Sequence, residues 1–147
     1  MGNALRGDDV AGIAVVQGLA SRVNGRQPVN ERLCLVEAGQ SPEAFTGVIR
    51  RFKPSHVLII DCADMGEAPG TIDWLSWNDV DGLGASTHTF PLSLFATYLI
   101  NEIGCEILLL GIQPTATLFG SEASPAMRDT IQQVTDSLDE ALQAIMG

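Results

Sequence analysis

The stretch Val57-Leu58-Ile59-Ile60-Asp61 decides the fold of this chain. Four consecutive apolar residues that end in a carboxylate are typical of a strand buried on both faces of a parallel sheet. A second apolar run, residues 107–110, ends at Gly111 and predicts another buried strand. Because ligands bind beyond the carboxyl ends of the strands in open α/β sheets, Asp61 lies where chemistry is expected.

Helical patterns alternate with these strands along the chain. Apolar residues at helical spacing predict a helix after Asp8-Asp9, with either acid as its cap, and a helix that starts at Ser41-Pro42. They also predict a helix over 92–103 and a long terminal helix that starts at Ser124-Pro125. Further strands are predicted over 33–37 and, at a sheet edge, over 71–75. The alternation predicts an α/β fold, and the length of 147 residues fits a single domain over 1–147.

The charge of the chain narrows the class of partner. The formal net charge is -10, from 8 basic and 18 acidic residues. This argues against binding to nucleic acid or to an anionic membrane surface, both of which attract Lys and Arg. The chain shows neither a signal-peptide pattern nor an apolar run near the roughly 18 residues of a membrane span. We therefore expect a cytoplasmic protein.

The cysteines indicate reduced thiols. Cys34, Cys62 and Cys105 form no CxxC pair, and two of them lie in or beside apolar runs. Cys62 adjoins Asp61, so a catalytic nucleophile is the alternative interpretation there. No histidine lies near Cys62 in sequence, which disfavours it.

Three polar motifs mark a candidate site at strand ends and helix starts. They are Arg6-Gly7-Asp8-Asp9, the run from Asp61 to Asp64, and the run from Ser86 to Pro91 that contains His88. Each motif also has a structural interpretation: a helix cap, a turn cap, and a hydrogen-bonded loop histidine. Taken together, two Asp and one His on strand-end loops fit an exchangeable metal site with oxygen and imidazole ligands. The other histidine, His56, precedes the central strand and is predicted to lie at the opposite end of the sheet.

These motifs resemble a known family when their order and spacing are considered together. Gly2-Asn3, residues 6–12, residues 61–66, Thr87-His88 and residues 111–114 are similar to motifs of the [NiFe]-hydrogenase maturation endopeptidases. The branch that processes the formate hydrogenlyase hydrogenase is the most similar. The resemblance implies a three-layer α/β/α domain with a twisted, mostly parallel sheet. It also implies an endopeptidase of the aspartic or metal-dependent type (EC 3.4.23.-).

The resemblance also implies a substrate and a site. Members of the family remove a C-terminal extension from the hydrogenase large-subunit precursor after nickel insertion. Carried over, the metal-contacting and catalytic residues are Asp9, Asp61 and His88. The nickel is supplied by the precursor, and other divalent ions can occupy the site in isolation. The alternatives are a different metal-dependent hydrolase on the same fold and a docking module without catalysis.

One departure from the family pattern concerns the N-terminal region. Family members have a hydrophobic strand before the Gly-Asn pair, whereas here only Met1 precedes Gly2. We expect the usual first strand to be missing and unpaired backbone groups to remain in the sheet, which lowers stability. We also expect Gly7 and Gly39 to give the loops of the site room for the backbone of a peptide.

Overall fold

The two apolar runs form neighbouring parallel strands at the centre of a three-layer arrangement. The computed structural model describes residues 1–23, 32–80 and 91–146. The strands are β1 (His56–Cys62), β2 (Ile72–Leu75) and β3 (Glu106–Ile112). The helices are α1 (Ala11–Val23), α2 (Thr46–Phe52), α3 (Leu92–Ile103) and α4 (Pro125–Met146). Short 3-10 turns, Gly7–Val10 and Pro42–Phe45, precede α1 and α2.

The sheet order among the described residues is β1-β3-β2. β1 and β3 pair in parallel from His56 opposite Glu106 to Cys62 opposite Ile112. β2 pairs with β3 in the antiparallel direction. It lies at the edge of the sheet formed by the described residues, as its alternating sequence predicts. Both central strands are exposed at their first residue and buried over their last four, so the buried ends lie together at the carboxyl end of the sheet.

Helices cover both faces of the sheet, which confirms the predicted α/β class. On one face, Ile60 and Leu110 belong to a core that includes Val15 of α1 and Val134 of α4. On the other face, Ile59 and Leu109 pack with α3 residues, including Phe95 and Leu99. The alternation of side chains along each strand sends successive apolar residues to opposite cores, which is why the central runs are continuously apolar.

The contact between α1 and β1 is unusually close at Gly12. A Cβ atom at this position would lie 2.1 Å from the carbonyl oxygen of Ile60 and 2.3 Å from the amino nitrogen of Met1. Any side chain here would therefore collide with backbone. The glycine lets the first turn of α1 lie directly against the carboxyl end of β1.

A cleft lies between β1 and the segment 32–37. The segment 32–37 is not a regular strand, contrary to the prediction for 33–37. A cavity of about 290 Å³ separates its residues Leu33 to Val36 from Val57 and Leu58 of β1. Near the carboxyl end of β1, the Met1 amine donates to the Ile60 carbonyl (2.7 Å), and the Gly2 N–H donates to the Gly39 carbonyl (2.9 Å).

None of the helices formed by residues 1–23, 32–80 and 91–146 has the length and apolar character needed to cross a membrane.

Candidate active site

Asp61 is held at the carboxyl end of β1. Asp61 is 5% exposed and is one of the four buried residues at the end of this strand. The backbone N–H of Cys62 donates to Oδ1 of Asp61 at 2.9 Å. This short-range bond fixes the direction of a carboxylate that the sequence pattern placed at the rim of the sheet.

Asp9 reaches the same region from the 3-10 turn before α1. It is fully buried. Its backbone N–H donates to Arg6 (3.1 Å), and its carbonyl accepts from the Asn3 N–H (3.0 Å), so the whole turn is tied down. Burial of a charged carboxylate is costly unless pairing and hydrogen bonds offset the loss of hydration.

Cys62 connects the two carboxylates. Burial raises the pKa of its thiol far above the usual range, and the nearby charges of Asp9 and Asp61 raise the pKa further, as does a hydrogen bond to the Asp9 side chain. Cys62 therefore donates its N–H to Asp61, and its thiol lies close enough to both carboxylates for their charges to affect its pKa. A thiol with a raised pKa stays protonated, which disfavours both a nucleophile and a thiolate metal ligand.

The N-terminal amine lies in the same cluster. Burial lowers the pKa of the Met1 amine, while the charges of Asp61 and Asp9 act in the opposite direction. Both carboxylates are thus close enough to Met1 and to Cys62 to affect their titration. The structure brings Asp9 and Asp61 together at one end of the sheet, as the strand-end argument expected.

Asp8 has a different role from its neighbour. It is 1% exposed, and its carboxylate accepts hydrogen bonds from the N–H of Thr115 (2.6 Å) and from the N–H and hydroxyl of Ser124 (2.6 and 2.8 Å). The prediction that Asp8 caps the helix after it is wrong, because its partners lie more than a hundred residues further along the chain. Asp8 instead holds the loop between β3 and α4.

Asp64 is not part of the buried pair. It is exposed, and its carboxylate accepts from the side-chain amide of Gln113 (3.1 Å) and from the N–H of Gly66 (3.2 Å). The hydrogen bond from Gln113, followed by that from Gly66, lowers the pKa of Asp64. Asp64, the last residue of the second polar motif, therefore belongs to a network that fixes the loop.

Gln113 organises that network and was missed as a functional position by reasoning from single residues. It is 7% exposed, and its amide oxygen accepts from the N–H groups of Met65 (2.6 Å) and Glu67 (3.3 Å). A Gln that directly follows a buried strand and precedes a proline was the available signal. It links the loops after β1 and β3.

One of the two histidines, His56, lies within the described residues. His88 and the Thr-His motif lie outside the described residues. His56 is exposed at the opposite end of β1, as predicted. Its ring contacts Ser55 (2.9 Å) and Glu106 (3.7 Å) there. Within the described part of the chain, no three His, Cys, Asp or Glu side chains are grouped as a metal site requires. A two-Asp, one-His site therefore depends on His88.

Gly7 and Gly39 differ in the free space around them. Both have positive φ angles of 57°. A Cβ on Gly7 would lie 2.5 Å from the Ser121 hydroxyl and 2.8 Å from the Ala116 carbonyl oxygen. The space at Gly7 is therefore filled by the protein's own loop, contrary to the expectation that it admits a peptide. A Cβ on Gly39 would meet nothing within 4 Å.

Solved structures define the class of this α/β domain. A crystal structure of a [NiFe] hydrogenase maturation protease HycI from Thermococcus kodakarensis KOD1 superposes with a TM-score of 0.83 at 28% identity, covering 97% of this chain and 88% of that chain. The solution structure of an endopeptidase HycI from Escherichia coli gives a TM-score of 0.80 at 30% identity, with coverage of 95% and 85%.

The sequence comparisons show the family. The family model described as hydrogenase maturation protease matches residues 13–141. The hydrogenase 3 maturation protease of Escherichia coli K12 is 31% identical over 140 residues, which is 95% of this chain and 85% of that protein. The chain therefore belongs to the hydrogenase maturation protease family, and the family expected from the motifs is confirmed.

Proposed function

We propose that this protein cuts the C-terminal extension from a [NiFe]-hydrogenase large-subunit precursor after nickel has been inserted. The observation that carries the proposal is the pairing of buried Asp9 and Asp61 around Cys62, at the carboxyl end of β1, in a chain of this family. The proposed place of the reaction is the cytoplasm.

Asp9, Asp61 and His88 contact the nickel that the precursor carries. Carboxylate oxygen and imidazole nitrogen suit nickel and other divalent ions, so the donor set matches this substrate. The metal belongs to the substrate, and the requirement for it makes cleavage a checkpoint on metal loading. The protein's own contribution is orientation: two carboxylates held in fixed directions receive the metal-loaded segment without reorganising.

The rigidity of the pair supports this role. The N–H of Cys62 donates to Asp61, and Asp9 lies fully buried in a turn whose backbone is hydrogen-bonded to Asn3 and Arg6. An acceptor pair that is held before the substrate arrives loses less conformational freedom on binding. The same buried position keeps bulk water from competing for the carboxylate oxygens.

The test is a processing assay on a large-subunit precursor prepared with and without nickel, read as mass change. We expect cleavage of the nickel-loaded form alone. Asp61→Asn and His88→Ala should each reduce the processing rate at least about 100-fold, which corresponds to about 2.7 kcal/mol. Their circular dichroism spectra should remain that of the parent protein.

The chain offers matched controls for both substitutions. Asp64→Asn changes an exposed acid that lies three residues after Asp61. His56→Ala changes a histidine at the opposite end of the sheet. Both controls should process the precursor within a few-fold of the parent. Full processing by Asp61→Asn or His88→Ala would contradict the proposed site. A stable complex without product would indicate a docking role, and cleavage of unrelated peptides a different hydrolase.

A further inference from the structure

Three large apolar side chains stand exposed beside the candidate active site. Leu118 and Phe119, in the loop between β3 and α4, are 69% and 72% exposed, and Leu5, in the N-terminal loop, is 61% exposed. The N–H of Gly120 donates to the Leu5 carbonyl at 2.7 Å, which joins the two loops directly. We call Leu5, Leu118 and Phe119 the apolar platform.

The loops that carry the platform are fixed from beneath. The N–H of Gly7 donates to Ser121 (3.1 Å), and the N–H of Asp8 donates to Ala116 (3.0 Å). The Asp8 carboxylate binds the N–H groups of Thr115 and Ser124, one at each end of the loop. This buried anchoring holds the loop in place although its largest side chains face solvent. The conformation of the loop is therefore fixed by these hydrogen bonds and not by burial of Leu118 and Phe119.

The two loops that carry the platform are connected to the elements that hold the proposed catalytic groups. Leu5 is four residues from Asp9, and the carbonyl of Arg6, next to Leu5, accepts the Asp9 N–H. The other loop begins directly after the Gln113-Pro114 pair at the end of β3. A partner bound at Asp9 and Asp61 therefore lies at the same end of the sheet as both loops of the platform.

We propose that the apolar platform docks an apolar segment of the large-subunit precursor, next to the bond that is cut. This inference rests on the proposed function. An apolar occupant is favoured because large apolar and aromatic side chains grouped at the edge of a site bind by being removed from water. The platform raises affinity for the folded precursor, while Asp9 and Asp61 act on its metal-loaded segment.

The experiment compares steady-state processing of nickel-loaded precursor by the parent protein and by a Leu118→Ser/Phe119→Ser variant, with Leu5→Ser as a second variant. We expect the double variant to raise KM about 10-fold or more, with kcat within about twofold, since anchors of this kind act on binding. Unchanged melting temperatures show that the loops remain folded. Ile145→Ser is the matched control: Ile145 is 66% exposed but lies at the far end of α4, and its variant should keep the parent KM.

The outcomes separate the two proposals. A parent protein that cuts the precursor and a double variant with the same KM would overturn the platform and leave the proposed function standing. A kcat that falls with KM unchanged would also overturn docking as its role. A parent protein that fails to cut any nickel-loaded precursor contradicts the proposed function itself. In that case, precursor binding by the parent that is lost in the double variant still supports the platform.

Discussion

The carboxylate of Asp8 binds both the backbone N–H and the hydroxyl of Ser124, at 2.6 and 2.8 Å. Ser124 immediately precedes α4, and its hydroxyl accepts the Met127 N–H in the first turn of that helix (3.2 Å). The acid of the N-terminal motif thus anchors the start of the terminal helix. The charge of its neighbour Asp9 instead lies close enough to Cys62 to raise the pKa of that thiol. Two adjacent acids in sequence therefore serve structure and site separately.

Asp8→Asn should destabilise the fold. The amide keeps the shape of the side chain but replaces one acceptor oxygen with a donor, which then faces backbone N–H groups. Hydrogen bonds to charged groups contribute about 1.5–3 kcal/mol each, so we expect the free energy of unfolding to fall by about 2–4 kcal/mol. Urea denaturation measures this. Asp129→Asn, at an exposed acid of α4, is the control and should change stability by about 0.5 kcal/mol or less.

Asp9→Asn should reduce processing without lowering the stability of the fold. We expect processing to fall at least about 100-fold while the melting temperature stays equal or rises, because one of two nearby buried negative charges is removed. Processing assays and thermal melts of the two purified variants provide the comparison. If Asp9→Asn retained processing and lost as much stability as Asp8→Asn, Asp9 would be a structural anchor too.

The distinction between Asp8 and Asp9 shows where sequence reasoning ends. The apolar runs predicted β1 and β3, and helical spacing predicted α3 and α4 with their starts, because these patterns are local. The partners of Asp8 lie at residues 115 and 124, and no local pattern announces a bond across that distance. The choice of Asp9 over Asp8 came from the resemblance alone.

The prediction of a strand over 33–37 was wrong for a related reason. Its apolar residues have strand character, yet a strand also needs a neighbour that supplies hydrogen bonds. Beside this segment lies the cleft, so the local preference does not produce a regular strand. Gln113 shows the complementary case, in which a polar residue after a strand fixes two loops at once.

Cys62 should prove to be a positioning residue and not a nucleophile. Its thiol is buried with a raised pKa, as is that of Cys105, whereas Cys34 is partly exposed. We expect Cys62→Ala to keep at least about a tenth of the processing rate, because the N–H that fixes Asp61 is backbone. Complete loss of processing in a folded Cys62→Ala variant would contradict this role.

The difference in exposure among the three thiols can be tested separately. Cys34 should react first with iodoacetamide in the native protein, as mass spectrometry of peptides can show.

The ion pair between α1 and α4 should make stability depend on pH. The hydrogen bond from Arg22 to Asp136 (2.5 Å) lowers the pKa of Asp136, with a smaller contribution from Gln132. A lowered folded-state pKa means that the stabilisation is present above the unfolded pKa of Asp, about 3.9, and is lost as pH falls through the folded pKa. Asp136→Asn should therefore lower the melting temperature at pH 7, and the difference from the parent should shrink as pH falls below about 4. A difference that stays constant to pH 2 would show that the carboxylate charge is not the cause. The Asp129→Asn variant is again the control.

An apolar strand fused directly before Met1 should stabilise the protein. The Ile60 carbonyl already accepts the Met1 amine, and strand alternation turns the backbone groups of Leu58 to the same edge of β1. A preceding segment that ran parallel to β1 would follow the cleft. Its alternate side chains would meet α1 and α4 on one side, and Ile49 and Phe95 on the other.

Five β-branched residues at this position should raise the melting temperature by about 5 °C or more, which corresponds to about 2 kcal/mol for a domain of this size. The fusion also replaces the buried Met1 amine with an amide, which removes a desolvated charge. The control is therefore a fusion of equal length with Asp at alternate positions, which makes the same amide but cannot enter an apolar cleft. Hydrogen exchange at the Leu58 N–H should slow in the apolar fusion alone. Equal melting temperatures for the two fusions would show that the cleft does not accept a strand.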